Sequence, residues 1–163
     1  MEIMVMVAAT VGSPFAPHDG SDGHDLAAAG STRVTGYPVG AGRIDGTLTE
    51  DGEPTAVLLL MEEPALPGRT VRARPVALVH ALRDGRPCPE LVCVPAHDAN
   101  FAALTGVRAL RAWHADEGTL ATVLHRLDPA HHWRVEECEG PPAAEEFLTQ
   151  ARQAYARLTG CLE

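Results

Sequence analysis

The chain has 163 residues, 45% of them hydrophobic, and its 22 acids against 13 cations leave a formal net charge of −9. Every one of the 13 cations is arginine, so no lysine is available to grip an anion, and the overall charge disfavours nucleic acid and anionic membrane surfaces as partners. This length supplies one well-formed core and not two, so a single domain over residues 1–163 is expected.

Taken in chain order, short apolar runs at Ile3 to Val7, Val57 to Leu60, Thr70 to Arg74, Val76 to Leu82 and Leu91 to Val94 have strand length and strand spacing. The 15 glycines and 13 prolines supply turns between them. The stretch from Phe15 to Thr32, rich in Gly, Asp, Ser and His, reads as a loop. After Pro95 the pattern becomes helical. Asp98 to Leu104 is a short helix with Asp98 as its cap, and Asp116 to Leu127 a longer one with Leu120, Val123, Leu124 and Leu127 on one face. Trp133-Arg134-Val135 is a further strand, and Pro142 opens a last helix, Ala143 to Leu158, with Phe147, Ala151, Ala154 and Leu158 on its apolar face and Gly160 at its end. The order gives an α+β fold: a closed barrel of about five strands with two helices packed outside, which removes the edges of short strands.

No run reaches membrane-spanning length, and Met1 to Val7 lacks the basic start and long apolar core of a signal peptide, so a cytoplasmic protein is expected. Cys88, Cys93, Cys138 and Cys161 form no Cys-x-x-Cys pair and suggest neither zinc nor a redox motif. The histidines His18, His24, His97, His114, His131 and His132 show no tight ligand spacing, and His80 and His125 read as structural. Gly-x-Ser-x-Gly, Walker and dinucleotide motifs are missing from the sequence.

The most informative stretch is Asp51-Gly52-Glu53-Pro54-Thr55-Ala56, which leads into Val57-Leu58-Leu59-Leu60. With Tyr37-Pro38 before it and Pro67-Gly68, Arg74-Pro75-Val76 and Leu91-Val92-Cys93-Val94-Pro95 after it, the chain resembles the family I soluble inorganic pyrophosphatases, whose signature is Asp-x-Asp-Pro-x-Asp before a buried strand. The resemblance implies an oligonucleotide-binding-like barrel, several Mg²⁺ ions held by a nest of carboxylates, and a homo-oligomer; the altered 105–130 region points to one smaller than the hexamer common in bacterial members.

Carried across residue by residue, most of that machinery is replaced. Met6 stands in place of a glutamate, Phe15 of a lysine and Ala41 of a tyrosine, while Tyr37 is kept. An arginine falls at Ala29, with Arg33 nearby. In the signature Asp51 is kept, Glu53 replaces an aspartate, and Ala56 replaces the residue that helps activate water. Arg83 and Cys88 replace two aspartates, with Asp84 adjacent, Glu90 replaces a lysine, and His125-Arg126 fall near a tyrosine-lysine pair. No bound metal ion or cofactor is therefore expected.

One functional reading follows in which the pocket is relined by Met6, Phe15, Ala41 and Ala56 and transforms a hydrophobic small molecule without metal. Asp51 and Glu53 would be its acid and base, with Arg83 or Arg126 on an oxyanion, in chemistry of cyclase, isomerase or lyase type and a setting in specialised metabolism. Tyr37, Asp84, Glu90 and His125 complete the candidate substrate-binding set. Alternatives stay open: a non-catalytic protein that binds a ligand or partner, residual Mg²⁺-dependent pyrophosphatase activity, and a Glu-Asp-Gly-Glu-Pro turn whose acids serve solubility alone.

Overall fold

A computed structural model describes residues 1–17 and 36–160. The loop reading of 18–32, the register at Ala29 and Arg33, and His18, His24 and Cys161 lie outside the described residues.

Five strands close a hydrogen-bonded ring. β1 (Ile3–Val11) pairs antiparallel with β2 (Val39–Ile44), β2 antiparallel with β3 (Thr55–Leu60), and β3 runs parallel to β6 (Glu90–Pro95). β6 pairs antiparallel with the 14-residue β4 (Thr70–Arg83), whose first residues, Thr70 to Ala73, return to β1 and complete the circle. The far half of β4 leaves the ring to carry the two-residue β5 (Arg86–Pro87) and β7 (Trp133–Glu139). Pro75 lacks the N–H a ladder needs, and the register slips between Pro75 and Ala77, where a bulge accommodates it.

Alternation decides which side chains enter the ring. Ile3, Val5 and Val7, Val57 and Leu59, Leu91 and Cys93 point inward with Ile44, Met61 and Ala73, and Ala144 and Leu148 of the last helix pack against them. The intervening residues Val39, Leu58, Leu60, Val79, Val92 and Val94 face outward under a second apolar layer of Phe101, Leu104, Leu110, Trp113, Leu120, Val123 and Leu124. Covered on both faces, β3 and β6 read as continuous apolar runs.

Three α-helices occur among the described residues: α1 (Val107–Ala112), which was not expected from the sequence, α2 (Glu117–Leu127) and α3 (Pro141–Leu158). The helix expected over Asp98 to Leu104 is only a 3-10 turn, Ala99–Phe101, capped by the Asp98 carboxylate on the Asn100 N–H. The Arg74 guanidinium takes up the carbonyls that follow, donating to Leu104 O at 2.6 Å and Phe101 O at 2.7 Å. α2 starts where the sequence places it, with Asp116 and Thr119 exchanging side-chain and backbone bonds in a capping box.

Two further differences stand out. The Val39–Ile44 segment, for which no strand was expected from the sequence, is a full ring strand; a Cβ on Gly42 would stand 2.6 Å from Met6 O and 2.7 Å from a Val5 methyl, so glycine is the residue that lets β2 approach β1. α3 is rotated from its expected face: Ala144, Leu148 and Ala151 are buried, Phe147 and Ala154 only partly so, and Leu158 is 71% exposed.

Candidate functional site

The signature turn is fixed by its own backbone. Thr49 N–H donates to Glu53 O at 2.8 Å, Gly52 N–H donates to Thr49 O at 3.0 Å, and Gly52 takes φ +81°, which glycine adopts without strain. At the base of the loop, Thr55 N–H donates to the Thr47 hydroxyl at 2.9 Å. Asp51 and Glu53 therefore sit on a rigid, exposed turn at the entrance to β3.

β6 starts beside it, with Glu90 in register with Ala56 of β3 and Val79 of β4. Glu90 is only 7% exposed, and its Oε2 has no hydrogen-bond partner. Burial pushes this carboxyl up to about 8, against the pull of the Arg83 guanidinium. Cys88 is pushed up to about 11 by burial first and then by the charge of Glu90, with Asp51 and Glu53 adding to the effect and Arg83 opposing it. Asp51, Glu53, Arg83, Cys88 and Glu90 thus form one electrostatic neighbourhood, assembled from the signature turn, the end of β4 and the start of β6.

The other candidates are distributed differently. Ala41, opposite Leu58 on β2, and Ala56 are half-buried. Met6 is half-buried and paired with Arg43, whose Nη2 lies 3.8 Å from its sulfur. Phe15 is fully buried, and Tyr37, whose N–H donates to Phe15 O, stacks on Trp113 at 5.6 Å and tilts against Phe101 at 5.0 Å. These two aromatics lie in the packed layer beneath α1 and α2. Asp84 forms the tight Asp84-Gly85 hairpin at φ +52° and is turned toward the α2–β7 connection: Oδ2 lies 2.6 Å from His131 Nδ1, and Oδ1 accepts from His132 N–H at 2.8 Å. The His131-His132 pair is thereby tied to a carboxylate that its sequence spacing did not reveal. His125 is exposed on α2, and the neighbouring Arg126 donates from Nη1 to Gly12 O at 3.0 Å, holding the helix to the end of β1.

These residues do not fit a multi-magnesium nest. A methyl group at Ala56, a thioether at Met6 and a protonated thiol at Cys88 offer nothing to a hard cation, and Glu90 is largely neutral at pH 7. Among the described residues no three His, Cys, Asp or Glu side chains converge as a metal site. Cys88 is the participant that residue choice overlooked; its position in the inherited pattern was the available signal.

A family model for inorganic pyrophosphatase matches residues 28–156. An inorganic pyrophosphatase of Nanoarchaeum equitans is 27% identical over 129 residues, covering 74% of this chain and 78% of that protein. One from Synechocystis is 31% identical over 81 residues, half of this chain and 48% of the relative's own length. In structure, the inorganic pyrophosphatases of Helicobacter pylori and Thermus thermophilus both superpose with a TM-score of 0.68, at 20% and 19% identity, over 94% of this chain and 93% and 91% of theirs. The five-stranded, oligonucleotide-binding-like α+β architecture is the one these solved structures share. The family match and these pyrophosphatase relatives overturn the expected cyclase, isomerase or lyase acting on a hydrophobic molecule. With the family model spanning most of its length, this chain belongs to the inorganic pyrophosphatase family.

Proposed function

We propose that this chain is a non-hydrolysing member of the family, one that keeps the ring-and-helix scaffold and a small-molecule site but not the means to cleave pyrophosphate with several metal ions. The observation that carries this reading is the uncharged inner wall of the site: Ala56 is in register with Glu90, whose carboxyl is held at about 8, the Cys88 thiol near Glu90 is held at about 11, and the two other acids, Asp51 and Glu53, are on the exposed turn. Multi-metal hydrolysis needs charge where the water and the leaving phosphate sit, because the ions both activate the nucleophile and neutralise the leaving group. A cytoplasmic homo-oligomer belongs to the same reading.

A second reading, slow Mg²⁺-dependent hydrolysis of pyrophosphate, is favoured by the activity named for the relatives and by the retained Asp51, with the carboxylate of Glu53 in the same neighbourhood. Phosphate release from pyrophosphate with Mg²⁺ or Mn²⁺ separates the two. The first reading expects no enzymatic turnover, and a rate above roughly 1 s⁻¹ overturns it.

A further inference from the structure

A cleft of about 600 Å³ opens between the 48–51 side of the signature turn, the 86–89 segment and α3. Its walls are mostly apolar: Leu48 from the turn, Pro87 and Pro89 from the β5 side, and Phe147, Ala151 and Ala154 from the helix. The same segment faces two ways, since Pro87 and Pro89 line this cleft while Cys88 between them packs against the layer beneath α1 and α2. The cleft therefore lies on the other side of the 87–89 segment from the Cys88 side chain, and it shares that segment and Asp51 with the Cys88–Glu90 wall.

The walls are held before any ligand arrives. Leu48 N–H donates to Ala151 O at 3.0 Å, which ties the turn to α3, and Cys88 N–H donates to Ala81 O at 2.8 Å, which ties the proline wall to β4. The two prolines fix their own φ angles, so little chain entropy remains to be lost on binding. The volume lies within the range of small-molecule sites, and an apolar floor with a few polar groups at one side is their usual composition. Glu50 and Asp51 place two carboxylates on the lining against the one guanidinium of Arg86, a net charge of minus one on a chain that carries −9 overall. That balance favours a cation and disfavours an anion.

From this juxtaposition we propose that the cleft binds a small amphipathic cation, an ammonium group on an aromatic or aliphatic body, with the body against Phe147, Pro87 and Pro89 and the charge toward Glu50 and Asp51. The proposal shares Asp51 with the family site but does not depend on whether that site hydrolyses pyrophosphate. The test is calorimetric titration of the full chain with 1-naphthylmethylammonium, neutral 1-naphthylmethanol and anionic 1-naphthoate. The ammonium is expected to saturate at millimolar or lower concentration and to bind about tenfold more tightly than the alcohol. Glu50→Gln with Asp51→Asn, both on the exposed turn, removes that preference while leaving the alcohol's affinity unchanged, and Ala154→Phe, which fills the cleft from the helix surface, abolishes binding of all three. Naphthoate binding as tightly as the ammonium, an ammonium that fails to saturate, or affinities untouched in these variants would each overturn the proposal.

Discussion

Glu90→Gln isolates the effect of burying an ionisable group in the wall of the site. In the folded chain the carboxyl is held at about 8 against an ordinary value of 4.5, so between those pH values the native state keeps a proton that the unfolded state releases. Stability then falls as pH rises, from a maximum below about 4.5 to a plateau above about 8, at up to about 1.4 kcal/mol per pH unit. Between pH 5 and pH 7 the wild-type chain is expected to lose about 2–3 kcal/mol relative to Glu90→Gln, which cannot ionise. Urea unfolding followed by tryptophan fluorescence measures it, because Trp113 and Trp133 are both buried and report loss of the core. Comparing slopes against pH, and not absolute stabilities, removes the separate effect of placing an amide beside Val79 and Ala56. Parallel curves for the two proteins would show that Glu90 is solvated or compensated in solution and would refute the argument for an uncharged wall.

Arg74→Met keeps the aliphatic stem but removes both donors to Leu104 O and Phe101 O, and should lower stability by about 2 kcal/mol in urea unfolding, with the loss absent from a variant retaining the guanidinium. Asp84→Asn concerns the acid limb: hydrogen bonds from His131 and His132 hold the Asp84 carboxyl below its ordinary 3.8, so its contribution is present above that value and lost as pH falls further. The variant is expected to lose stability at pH 5 and to show a shallower acid-unfolding limb, read by circular dichroism, and an unchanged limb would refute the assignment.

What the sequence made legible follows from how many neighbours each inference needs. β3 and β6 were readable because burial on both faces leaves an unbroken apolar run, and α2 because Asp116 caps a single apolar face. β2 was not, since its Gly40 and Gly42 weaken strand propensity, and their reason lies in the closeness of β1, a tertiary fact. The α3 face was misplaced for a related cause: Phe147 is the most hydrophobic residue of its turn, yet the smaller Ala144 with Leu148 is what packs fully buried in the cluster of Ile3, Val5 and Val7. At the site, positional correspondence grouped Asp51, Glu53, Arg83 and Glu90, whose charges all act on Cys88, but it carries no depth. It could not tell that Phe15 and Tyr37 are packed in the core, or that the Asp84 carboxylate is engaged by His131. The cleft draws on residues 48–51, 86–89 and 147–154, and no spacing rule links three such distant segments.

The charge pattern of the site has a thermodynamic logic. Several carboxylates held close together repel one another unless cations sit between them, so such a nest stabilises the fold only when it is loaded. In a chain with a net charge of −9 and no lysine, an unloaded nest would add to an already unfavourable acidic field. On the proposed non-hydrolysing reading, Ala56 and the Cys88 thiol add no carboxylate beside Glu90, and Arg83 places a positive charge nearby. Glu90, the buried acid among the described residues, avoids adding to the field by keeping its proton. Asp51 and Glu53 are held in water by the self-bonded turn. On that same proposed reading, such an arrangement carries little self-repulsion in the absence of a divalent ion and would leave the core intact.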